Sequence, residues 1–131
     1  MRLRRVVLLE PAEPGPEFRD PIARLKDQLA RLGVQVGTEA GDGMVAVPGA
    51  LRSLEQLFTD HLEGNDLPCG LLNSEGHFTG LLQAADDAVI DRFIRETQRG
   101  RLIVDEDPGS LLYALAAYRP PETRRQAGAG G

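Results

Sequence analysis

Four short apolar runs constrain this chain more than anything else in it: Arg5-Val-Val-Leu-Leu9, Met44-Val-Ala-Val47, Leu67-Pro-Cys-Gly-Leu-Leu72 and Leu102-Ile-Val104. None of them alternates apolar with polar residues. A strand with one wet face alternates, whereas a strand covered on both faces does not. Stretches of helical periodicity lie between and after the runs. Buried strands that alternate with helices form a parallel sheet with a helical layer on each side. The expected fold is therefore α/β and Rossmann-like, a mostly parallel sheet of four to five strands with helices on both faces.

The helical stretches mark their own ends. Asp20-Pro21 reads as an N-cap followed by proline at the first helical position. Ile22, Leu25, Leu29 and Leu32 then recur at helical spacing, and Gly33 closes the helix. Ser53-Leu-Glu-Gln56 has the capping-box pattern, with Leu54, Leu57, Phe58, His61 and Leu62 along one face. Gly76 precedes a helix carrying Phe78, Leu81, Leu82, Ala85, Val89 and Phe93. Asp107-Pro108 repeats the cap-and-proline start ahead of Leu111, Leu112, Leu115 and Tyr118.

The chain has 131 residues, enough for one core. One domain is expected over 1–119, with a polar Gly/Ala-rich tail at 120–131 read as disordered. A formal net charge of −5 argues against a nucleic-acid or anionic-membrane partner, since either asks for a basic face. The basic start at Arg2 is followed by an apolar run too short for a signal peptide, and no stretch is long enough to span a bilayer. A single cysteine, Cys69, permits no internal disulfide and sits in an apolar run, where it reads as a small buried hydrophobe. A cytoplasmic location is expected.

Few residues carry obvious chemistry. His61 lies on or beside an apolar helix face and reads as structural. Asp86-Asp87 are adjacent on a helix, so they diverge and read as solvated. No His, Cys, Asp or Glu cluster has metal-ligand spacing, so neither a metal nor a cofactor is expected.

Several of these segments resemble the Lonely Guy (LOG) phosphoribohydrolases. That family carries a strand ending in PGGxGTxxE, a helix, a KPVxLLN strand and a Gly-aromatic helix start. Here Val45-Ala-Val-Pro-Gly49 is followed by Leu54-Glu-Gln56, then Leu67-Pro-Cys-Gly-Leu-Leu-Asn73 and Gly76-His-Phe78. The layout of Val6 to Gly37 and the closing unit Leu102–Pro120 also match. The family's middle section, with its YGGG turn, GLMG helix start and MxxRK helix, has no counterpart between Gly37 and Asp42.

The resemblance implies cleavage of a nucleoside 5′-monophosphate to free base and ribose 5-phosphate. It places the phosphate cradle at Gly49, Ala50, Arg52 and Ser53, where only the first family glycine remains. The family's terminal glutamate falls on Gln56, and an amide cannot act as a general base. Glu55 is a weak substitute, because a helix turns about 100° per residue. Arg24-Leu-Lys26 is a poor replacement for the missing cations, since it reads as the exposed face of the first helix. Glu10-Pro-Ala-Glu13 puts two carboxylates where a phosphate would approach. His77 takes an aromatic position of the pattern, which implies packing. Homodimerisation is also implied, and Phe58, Leu62 and Phe93 look like more apolar surface than a small sheet needs.

The expected function is that of a degenerate LOG-like protein without hydrolase activity, binding a nucleotide monophosphate weakly or acting through a partner. The alternative is an active nucleoside 5′-monophosphate phosphoribohydrolase. One topological difficulty stands out. Positions 37–43 are too few for a parallel crossover, which takes roughly a dozen residues. Val34–Val36 is thus expected to be a loop, an antiparallel edge or an exchanged segment. The first strand is expected to pair directly with Met44–Val47.

Overall fold

The computed structural model describes residues 3–37 and 41–120. The tail expected at 120–131 therefore lies, apart from Pro120, outside the described residues. The elements in chain order are β1 (Arg5–Leu9), α1 (Arg19–Arg31), β2 (Gln35–Gly37), β3 (Gly43–Ala46), α2 (Leu54–Leu57), β4 (Cys69–Leu72), α3 (Thr79–Ile90), α4 (Glu96–Arg99), β5 (Leu102–Asp105) and α5 (Pro108–Ala117). The five strands form one sheet in the order β2-β1-β3-β4-β5, and every pairing is parallel.

Two apolar layers account for the unbroken strands. Val6, Val45, Val47 and Leu72 pack with Ile22, Leu25 and Leu29 of α1 and Leu111, Leu112 and Leu115 of α5. Met44, Ala46, Cys69 and Leu71 pack on the opposite side with Leu57, Leu62, Phe78 and Ala85. Successive strand residues thus feed opposite layers, and all four positions of β3 and of β4 are buried. β1 pairs with β3 as expected, Val7 facing Met44 and Leu8 facing Val45.

β2 corrects the topological expectation. It is a parallel edge strand on β1, with Arg5 opposite Gln35 and Val7 opposite Gly37. It is neither a loop nor antiparallel, and it needs no second protomer. The reason is stagger. Gly37 is level with Val7, and Gly43 is level with Val6. The link therefore joins ends that are one residue apart along the strand direction and two strand spacings, about 10 Å, apart across the sheet. Its described end lies against the start of β1. A Cβ on Gly41 would collide with the Arg5 carbonyl, so glycine permits the close approach. The Asp42 amide donates to the Arg5 carbonyl at 2.8 Å, and its carboxylate accepts the amides of Arg4 and Arg5 at 2.7 and 3.2 Å.

Two further expectations are corrected. Asp20 is not the N-cap of α1. A 3₁₀ turn over Pro16–Phe18 runs straight into the helix, and Asp20 sits inside its first turn, paired with Arg24 at 3.5 Å. Phe93 lies beyond the end of α3 and is 82% exposed, while Leu62 is buried. Leu62 goes inward because α2 widens into a π turn over Phe58–Leu62. Residues 57 and 62 are one turn apart there, whereas an α-helix would set them about 140° apart. Asp86 and Asp87 are both exposed, as expected, and Asp86 also pairs with Arg99 of α4 at 2.8 Å.

Candidate functional site

In a parallel sheet, every loop that follows a strand emerges at the same end. Ligands of open α/β sheets bind there, where neighbouring connections leave in opposite directions. In this chain that point is between β1, whose chain continues to edge strand β2, and β3, whose chain continues toward β4. The turn after β3, Pro48–Ser53, faces the loop after β1. Gly49 has φ +92°, and a Cβ there would come within 3.1 Å of the Pro11 ring. Glycine is thus required twice over, by backbone conformation and by the approach of the β1 loop.

The candidate residues Gly49, Ala50, Arg52, Ser53 and Gln56 all lie in this turn or the first turn of α2. Ser53 caps α2, its Oγ accepting the Gln56 amide at 3.0 Å. The Gln56 side chain reaches back, but to the amide of Arg52 at 2.6 Å. Glu55 is exposed on another side of the helix. The Arg52 side chain is exposed.

Three backbone donors of the turn are engaged. Gly49 donates to Nε2 of His77 at 3.0 Å, Ala50 to the Val47 carbonyl at 3.1 Å, and Arg52 to Gln56. His77 caps the turn Ser74–Gly76 that follows β4, and beside it the Asn73 side chain accepts the Phe78 amide at 2.7 Å. Its ring also meets Phe18 and Phe78 edge-on, with centroids 5.3 and 5.0 Å away. One imidazole therefore touches the loops after β1, β3 and β4. Its place after the strand next to β3 was the signal for this, because loops following adjacent parallel strands share one end.

The electrostatics of this end are mixed. Lys26 of α1 reaches over the end of β1 and pairs with Glu10 at 3.0 Å. It is half-exposed, as its helical position implied, but it stands at the rim of the crevice. After β5, the Asp107 carboxylate accepts the Ser110 amide at 2.9 Å and caps α5. That bond, with the Ser110 hydroxyl and the charge of Arg24, holds its carboxyl below the usual aspartate range.

The opposite end of the sheet holds a buried cation. Arg101 is 7% exposed and donates to the carbonyls of Leu67 and Leu62 at 2.8 and 3.1 Å and to Asn65 Oδ1 at 2.5 Å. Burial draws its guanidinium below the ordinary value, against the opposing pull of Tyr118, Asp66 and Cys69. An open cleft of about 440 Å³ lies beside it, lined also by Arg95, Thr97 and Gln98. Among the described residues, no helix is long and apolar enough to cross a membrane.

No family model matches the chain. Several curated proteins do, three of them as follows. A probable cytokinin riboside 5′-monophosphate phosphoribohydrolase of Oryza sativa subsp. japonica, LOGL6, is 36% identical over 83 residues, which are 60% of this chain and 33% of that protein. The cytokinin riboside 5′-monophosphate phosphoribohydrolase of Rhodococcoides fascians is 34% identical over 87 residues, 63% of this chain and 42% of its own. LOG5 of Arabidopsis thaliana, which carries the same description, is 36% identical over 83 residues, 60% and 36% of the two chains. The chain thus spans about a third to two-fifths of the length of these curated relatives. Over that part of their length, the chain is similar to the curated LOG phosphoribohydrolases.

Proposed function

We propose that this chain binds nucleoside 5′-monophosphates weakly at the carboxyl end of its sheet and does not by itself hydrolyse them. The observation that carries the reading is the engagement of the turn after β3. Three amide hydrogens that could cradle a phosphate already have acceptors in His77, Val47 and Gln56. A ligand must displace them, which costs affinity. The family's base position holds an amide committed to Arg52, and Glu55 is exposed away from it. Lys26 at the rim supplies a cation, offset by Glu10. A homodimer and a cytoplasmic location belong to the same reading. Ile90 and Phe93, 76% and 82% exposed, offer the dimer apolar surface.

The test is incubation of the purified chain with AMP and with isopentenyladenosine monophosphate, following free base by chromatography, beside a thermal-shift titration. The expected result is a small rise in Tm at millimolar AMP, since a ligand of the folded state stabilises it, and no base release. Base release at an enzyme-like rate, abolished by Glu55→Ala, would instead establish the active hydrolase. Light scattering that gives a single monomer peak would remove the dimer.

A further inference from the structure

We infer that His77 is a proton-operated latch on an anion-binding point at the Gly49 amide. The inference takes its ligand class from the nucleotide-binding reading. The Gly49 amide can only donate, so Nε2 of His77 must carry its lone pair toward it, with the ring proton on Nδ1. Nε2 therefore occupies the place an anionic oxygen would take above a glycine of positive φ at the sheet's switch point.

Protonation ends this arrangement. An imidazolium has two donors and no acceptor, so the bond to Gly49 is lost and two N–H groups face each other. An anion resolves the conflict: it accepts from Gly49 and lies beside the new positive charge. Histidine is the side chain that makes this change between about pH 5 and 8. The ring stays near the turn, because Phe18 and Phe78 hold it edge-on. Charged groups on the elements around it are Glu10, Glu13, Glu17, Arg19, Asp20, Arg24 and Lys26 from the end of β1 into α1, Arg52 and Glu55 from the β3 turn into α2, and Glu75 in the turn before it. Among the described residues none forms an ion pair with His77, and Glu10 is already paired with Lys26.

Two measurements test the latch. In the ¹⁵N-labelled full chain, the Gly49 amide resonance is followed from pH 8 to pH 5 beside the His77 ring protons. The Gly49 shift is expected to move with the ring's own midpoint and to stay flat in His77→Phe, which keeps the ring packing but offers no acceptor. A flat Gly49 shift through the wild-type ring titration overturns the latch.

Sulfate then serves as a probe whose charge is constant over this range. Binding is expected to be about tenfold tighter at pH 5.5 than at pH 8, the equivalent of one charge-assisted hydrogen bond, and to lose that dependence in His77→Phe. Equal or absent sulfate binding at the two pH values overturns the anion-binding point. Sulfate binding that follows the latch while AMP gives no shift at either pH leaves the inference standing and overturns the nucleotide reading alone.

Discussion

Gln56 Oε1 accepts the amide hydrogen of Arg52 at 2.6 Å, four residues back along the chain. Together with Ser53 Oγ accepting the Gln56 amide, this closes the turn after β3 on itself. A capping-box side chain returns to the N-cap residue; here it returns to the residue before it. The donor it satisfies is one that a phosphate cradle would use. The same two bonds that start α2 therefore reduce what the turn can offer a ligand.

Ser53→Ala is expected to lower stability by about 1 kcal/mol, the usual worth of a hydroxyl N-cap. Gln56→Ala is expected to cost about 0.5–1 kcal/mol, and Gln56→Glu very little, since it keeps the acceptor. The double alanine variant should cost less than the sum, because the two bonds close one loop. Urea midpoints at constant slope measure all three. A fully additive pair would show that the bonds act separately.

Arg101→Met is expected to destabilise by about 3 kcal/mol, because it takes the charged donor from the Leu62 and Leu67 carbonyls and leaves the Asn65 oxygen with the Leu67 amide alone. Arg101→Lys should recover part of the loss, since an ammonium reaches some of these acceptors but lacks the fork. Calorimetric Tm values rank the three proteins. A methionine variant as stable as the parent would show that these acceptors find other donors.

Cys69 should resist alkylation in the folded state. Burial pushes its thiol up to about 12, only partly countered by Arg101, so no thiolate is present at pH 8. Iodoacetamide labelling should proceed no faster than unfolding, and rapid labelling of native protein would contradict this. A thiol raised in the folded state stabilises below the unfolded thiol range, about 8.5, and that contribution fades as pH climbs toward 12. Cys69→Ala should therefore show a shallower alkaline loss of stability.

Asp107 gives the acidic counterpart. The Ser110 amide holds its carboxyl below the usual range, so its stabilising contribution is present above the unfolded value of about 3.9. It is lost as pH falls through the lowered folded value. The gap in urea midpoint between the parent and Asp107→Ala should be constant from pH 5 to pH 7 and should narrow below about pH 4. A gap that persists at pH 2 would assign the cap to something other than the carboxylate.

Much of the fold was legible because its signals are local. The unbroken apolar runs at Arg5–Leu9 and Met44–Val47 announced strands covered on both faces. Ser53 and Asp107 announced helix starts that the structure retains. Asp20-Pro21 misled, because a 3₁₀ turn beginning at Pro16 pre-empted it. The inward turn of Leu62 and the outward placement of Phe93 were hidden, since a π turn and an early helix end break the period on which the reading relied. Positions 37–43 looked too few for a parallel link only while β2 and β3 were taken to be in step.

The residues of the β3 turn could be named from the sequence as one group, because they are contiguous. Their partners could not. The amide of Gly49 meets His77 across 28 positions, and the guanidinium of Arg101 meets Asn65 across 36. Periodicity and caps are set by residues within about a turn of one another, so the sequence by itself determined the four apolar strands, the main helices between and after them, their parallel sheet and the start of α2. Register, stagger and contacts between loops depend on how whole elements settle against a shared core. Only the tertiary structure could decide that β2 sits in parallel on β1, that Lys26 stands at the rim, and that one imidazole holds the Gly49 amide.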